Sequence, residues 1–157
     1  MSKTTPFECR GQLFWVFDVC ESILFAEMAG IAAETPDRER TPWLAGLEQP
    51  LRVHAIVGAD HAVDLDDWCD GHQEEFLALV TRAARRLAGR RSITARQAAG
   101  WIVLDGHPII WRGQDSVDTG PVVAFADAMT GIIRGTYPPP PEGRHWYFGH
   151  PGDVPAI

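Results

Sequence analysis

An α+β fold, an antiparallel sheet of four to six strands packed by two main helices, is what the sequence predicts, and three observations carry it. Residues 70–88 follow a helical period, with Phe76, Leu77, Val80, Ala83, Ala84 and Leu87 on one face and Gly89 as a natural stop. Residues 12–34 contain few breakers and are apolar around most of a helical circumference. Much of the remainder divides into short apolar runs separated by Gly, Asp and Pro, the pattern of strands and turns. The chain of 157 residues, 45% hydrophobic, fits one domain with a sizeable core and is too apolar for a disordered segment.

The elements follow in order. In residues 12–34, Leu13, Val16, Phe17, Cys20, Leu24 and Met28 form a stripe, and Asp18, Glu21 and Ser22 a narrow polar one; a strand over residues 13–17 is the competing reading. A helix this apolar needs cover on more than one side. Thr41 followed by Pro42 starts a short helical turn through Leu47. Residues 51–57 read as a strand, and residues 62–65 as another after a turn at Gly58, Ala59, Asp60 and His61. Asp70 with Gln73 three residues on resembles a capping box for the helix to Ala88. Ser92 caps a shorter helix through Ala99.

Strands are then expected over residues 101–104, 108–112, 122–127 and 132–137, the last two joined by a turn at residues 128–131. Pro138 to Pro141 ends the sheet, because four prolines cannot donate to a ladder. Residues 138–157 form a Pro-rich extension, packing on the domain or leaving it, that carries Trp146, Tyr147 and Phe148.

Charge is the most visible pattern. With 14 basic and 21 acidic residues the net charge is −7, which argues against non-specific binding of nucleic acid or of an anionic membrane. Residues 60–75 hold Asp60, Asp64, Asp66, Asp67, Asp70, Glu74 and Glu75 without a basic residue; residues 82–96 hold six arginines without an acid. Acids at a helix start and arginines at its end complement the helix dipole. That accounts poorly for Asp60, Asp64 and Asp66, which precede the helix, and with Asp67 these are the candidate partner-binding residues. Thirteen of the basic residues are Arg, Lys3 is the lone lysine and Asn is absent, a usage that fits a GC-rich bacterial genome.

Catalytic motifs are missing. Cys9, Cys20 and Cys69 are odd in number and widely spaced, which predicts reduced thiols. No HExxH, GxSxG, GxGxxG or Walker loop occurs, so neither a metal nor a cofactor is expected. Residues 13–28 are too short and too charged to span a bilayer, and the N-terminus lacks the features of a secretory signal, so a cytoplasmic protein is expected. Acid–base chemistry needs less of a motif: a carboxylate or imidazole inside an aromatic pocket suffices, and Asp18, Glu21 and His54 are the candidates. Six tryptophans could line such a pocket. The alternative is that Asp18 and Glu21 mark the wet side of their helix and His54 faces solvent.

The segment GPVVAFADAMTGIIRGTY, residues 120–137, resembles the terminal hairpin of cystatin-like modules, among them PepSY domains and YrhB-like bacterial immunity proteins. The resemblance implies a cystatin-like sheet and passes on no functional residue. Two functions are expected from these readings together. The first is a non-enzymatic binding module, an immunity-type inhibitor whose acids steer a basic protein partner. The second is a small enzyme or ligand-binding protein that uses Asp18, Glu21 or His54. Oligomeric state is left open, and burial of residues 146–148 against a neighbouring copy is a third reading.

Overall fold

Two strands and a two-residue turn open the structure. The computed structural model describes residues 4–56, 61–101, 109 and 115–149. Strand β1 (Thr4–Cys9) pairs antiparallel with β2 (Gln12–Phe17), Cys9 opposite Gln12. Arg10 and Gly11 between them both take positive φ, 53° and 72°, as a tight turn of mirror-image twist requires. Along β1 burial alternates: Thr5, Phe7 and Cys9 face the core, while Thr4, Pro6 and Glu8 turn outward.

The sheet has the order β3-β1-β2-β6, with β3 at Val63–Asp64 and β6 at Trp146–Phe148. Both outer strands pair parallel with their neighbours, so the expected purely antiparallel sheet is corrected to a mixed one. A second sheet is a single antiparallel pair, β4 (Ser92–Thr94) with β5 (Ser116–Asp118).

Helix α1 (Asp18–Glu34) follows β2 directly, so residues 12–17 form the strand and the expected helix from Gln12 starts six residues later. Every residue from Cys20 to Ala29 is buried. The hairpin, α2 (Pro42–Ile56), α4 (Gln73–Ala88) and α6 (Thr119–Arg134) all pack against it. That all-round cover explains its lack of a polar face. The expected wet side does not exist at Glu21 and Ser22, which are buried, and Asp18 is half-buried.

Helix α2 replaces the strand expected over residues 51–57. The Thr41 hydroxyl accepts the Leu44 N–H at 3.2 Å and Pro42 is the first helical residue, as expected, but the helix continues through Pro50 to Ile56. Pro50 only removes one intrahelical donor, and Leu47, Leu51 and Ala55 keep a buried stripe at four-residue spacing. A four-residue helix, α3 (Leu65–Trp68), precedes α4. The capping box expected at Asp70 is absent: His72 holds the N-cap position of α4 and makes no side-chain cap. Thr94, not Ser92, caps α5 (Ala95–Ala99), its hydroxyl taking the Gln97 N–H while the Gln97 side chain accepts the Thr94 N–H.

The hairpin over residues 120–137 is likewise corrected. These residues lie mainly in α6, where Val122, Phe125, Ala126, Met129, Ile132 and Ile133 are buried at helical spacing. Thr130 lies inside the helix and bonds back to the Ala126 carbonyl at 3.0 Å. Gly135, in left-handed backbone, ends it. The cystatin-like resemblance therefore falls away with the hairpin that carried it. The strands expected over residues 101–104 and 108–112 lie outside the described residues, apart from Trp101 and Ile109.

The core centres on Phe7, whose ring lies 5.4 Å from Phe14, 5.9 Å from Phe25 and 5.6 Å from Phe125. In β6, Phe148 packs on Phe14 and Phe125, and the Trp146 indole N–H donates to the Pro138 carbonyl at 3.1 Å. Residues 146–148 of the Pro-rich extension, expected to pack on the domain, to leave it or to meet a neighbour, lie against β2 of this sheet. Gly149, at φ 78°, follows so closely that a Cβ there would stand 2.7 Å from the Cys20 Cβ. Among the described residues, no helix is long and apolar enough to cross a membrane.

Candidate functional site

Three elements converge on one buried carboxylate. The alternation of β1 turns Thr5 inward, the first turn of α1 presents Glu21, and the last turn of α2 brings in His54. Glu21 and Thr5 are fully buried. The Thr5 hydroxyl donates to Glu21 Oε2, and His54 Nδ1 lies 2.9 Å from Glu21 Oε1. Burial raises the Glu21 carboxyl above its ordinary value; the hydrogen bonds from His54 and Thr5 oppose that rise, and the charge of Asp18 adds to it.

Aromatic rings wall the pair. The His54 ring meets Trp68 edge-on at 5.3 Å and Phe25 at 6.2 Å, and Phe25 lies 5.3 Å from Trp68. Trp43 fixes this wall from outside: its indole N–H donates to the Trp68 carbonyl at 3.1 Å while its ring stacks on His72 at 4.9 Å. With Nδ1 taken by Glu21, Nε2 is the imidazole nitrogen left to exchange a proton or a hydrogen bond with another molecule. Two of the three acid–base candidates, Glu21 and His54, are therefore brought together, with Asp18 one turn away. Thr5, Phe25 and Trp68 were missed as members. Thr5 alone carried a signal, its alternation with Phe7 and Cys9.

Three of the four acids expected to bind a partner, Asp64, Asp66 and Asp67, occupy one turn. Asp64 caps α3, accepting the Asp67 N–H at 3.1 Å. Asp66 accepts the Arg10 N–H at 2.7 Å through one oxygen, and the Cys9 thiol, 3.5 Å away, through the other. It thereby pins the strained β1–β2 turn to α3. Burial, and then the charge of Asp66, pushes the Cys9 thiol up to about 12. Asp64, Asp66 and Asp67 are exposed and form no ion pair among the described residues; Asp60 lies outside them. Replacing Asp66 by Ala is expected to cost about 1–2 kcal/mol, as loss of a hydrogen bond to a charged group at a turn does, while Asn restores part of it. Urea midpoints of the two variants test this, and an unshifted Asp66→Ala midpoint would show that the turn holds without the carboxylate.

The arginine run divides. Arg86 bridges Glu34 at 2.6 Å and the buried Glu27 at 3.5 Å, and Arg90 approaches Glu27 at 3.9 Å, so these two fasten α4 to α1. Arg82 and Arg85 make no ion pair among the described residues. Arg85 borders two open recesses at the α4–α6 side, of about 230 and 280 Å3, and Arg82 only the larger; neither recess reaches Glu21 or His54. Among the described residues, no group of three or more His, Cys, Asp or Glu side chains is placed to hold a metal ion. No protein-family model, curated protein or solved structure matches the chain.

Proposed function

We propose that the chain is a small acid–base or ligand-binding protein in which His54 is the proton-exchanging group and Glu21 holds and polarises it. The observation that carries this reading is the 2.9 Å contact between His54 Nδ1 and a fully buried carboxylate. A carboxyl group on one nitrogen sets the tautomer and the orientation of the ring. Thr5 positions the far oxygen of Glu21, and Trp68 and Phe25 pack edge-on against the His54 ring and hold it in place. Cys9, Cys20 and Cys69 are free and buried, which supports a reducing, cytoplasmic setting. A ligand-observed NMR screen of a small-molecule fragment set tests the proposal. Hits should be lost in His54→Phe and should shift the Trp68 indole resonance. A set of hits that binds His54→Phe equally well overturns it.

One observation favours a second reading. The exposed Asp64, Asp66 and Asp67 share one short turn and form no ion pair among the described residues, as a surface that meets a cationic protein would. On this reading the chain is an immunity-type inhibitor of a basic partner. Asp67→Asn, which leaves the Asp64 cap and the Asp66 bridge in place, should weaken capture of that partner in a salt-dependent manner.

A further inference from the structure

We infer that the outer face of α4 is a self-association surface for a second copy of this chain. Glu74, Ala78, Thr81 and Arg85 follow one another at spacings of four, three and four, so they form one exposed stripe along the helix. The stripe is its own complement when reversed. With the two helices antiparallel and a two-fold axis passing between Leu79 and Val80, Glu74 faces the partner's Arg85, and Ala78 faces the partner's Thr81. Symmetry repeats each pairing, so one contact supplies two ion pairs around a crossing of small side chains, where the helices can approach closely.

The charges are available for this. Arg85 has no ion pair among the described residues, and Glu74 has only Arg134, at 3.6 Å, with both side chains more than half exposed. The two recesses of about 230 and 280 Å3 both border Thr81 and Arg85, which leaves room beside the stripe for the incoming side chains. Leu13 is the one large apolar side chain exposed among the described residues, so no apolar patch there competes with α4. The association accordingly rests on charge and close helix approach. It is weak, and salt weakens it further.

The same polarity of charge suits the dipole of α4 within a single chain, so the test must separate the two roles. Sedimentation analysis of the full chain at low salt, from about 10 μM to about 1 mM, covers the range in which a small polar interface is populated. Mass should rise toward a dimer with concentration and fall back in about 1 M salt, where the Debye length is about 3 Å. Arg85→Glu turns both pairs repulsive and should weaken association at least about tenfold. The exchange of Glu74→Arg with Arg85→Glu should restore the dimer while lowering thermal stability, because it opposes the dipole. Ala78→Arg, a substitution that suits an exposed helix position, should abolish the dimer in a folded chain. A wild-type mass that stays monomeric throughout overturns the inference. So does an Arg85→Glu or Ala78→Arg variant that dimerises like wild type, or a folded double exchange that remains monomeric.

Discussion

Phe7→Ala should destabilise the fold by about 3–5 kcal/mol and lower the melting temperature by roughly 10 °C. Phe7 is fully buried in β1, and its ring touches one aromatic ring from each of three elements: Phe14 of β2, Phe25 of α1 and Phe125 of α6. Truncation loses the transfer energy of the ring and leaves a cavity whose walls belong to three separate elements. Their backbones cannot close in together without shifting the hairpin, the central helix and α6 at once. The three ring pairs add a further fraction, since offset and edge-on contacts exceed simple burial. Phe7→Leu, which retains most of the volume, should cost less than half as much. Leu13→Ala, at the exposed position of the same hairpin, should stay within about 0.5 kcal/mol of wild type. Thermal and urea unfolding of the three variants measure the series. A loss under about 1 kcal/mol for Phe7→Ala would mean that the ring packs more loosely than its surroundings imply.

How much of this was legible from the residues depends on the distance over which each element is decided. Helix α4 was readable because its period is local: all six expected face residues, Phe76 to Leu87, are buried, and it ends at Gly89. Helix α6 was misread because Val122, Val123, Ile132 and Ile133 have strand propensity and Thr130-Gly131 has turn chemistry. Burial at helical spacing against α4 and α1 outweighs both preferences. The turn through Leu47 and the strand from Leu51 were read as separate elements, whereas the buried stripe Leu47, Leu51 and Ala55 runs through both as one helix. The junction at Phe17 was open between strand and helix, and pairing with β1 decides it.

The site divides similarly. Glu21 and His54 were visible as separate polar residues in apolar surroundings. Their contact spans 33 positions and needs α1 and α2 side by side, which no local pattern encodes. Asp66 looked like an uncompensated surface charge because its partner, the Arg10 N–H, lies 56 positions away at a turn made by an Arg-Gly pair. The usual Asn-Gly or Asp-Gly would have announced that turn.

Glu21→Ala is the other variant expected to fail strongly, by about 2–4 kcal/mol, since it leaves both the Thr5 hydroxyl and His54 Nδ1 in the core without their partner. Glu21→Gln separates shape from charge. Its amide still offers an acceptor and a donor to those two groups, so it should stay within about 1 kcal/mol of wild type at neutral pH. The pH dependence distinguishes the two further. Burial lifts the folded-state carboxyl above the usual 4.5, so in the window between that value and the raised one the folded state holds a proton that the unfolded state has released. Stability from this group is therefore fully present below about 4.5 and is lost as pH rises through the folded value. The difference in unfolding free energy, wild type minus Glu21→Gln, should be most favourable to wild type at the acid end and should decline upward through that window. Groups common to both proteins cancel in this difference, which leaves the Glu21 proton and its bond to His54. A difference that instead grows with pH would mean that the hydrogen bonds from His54 and Thr5 outweigh burial.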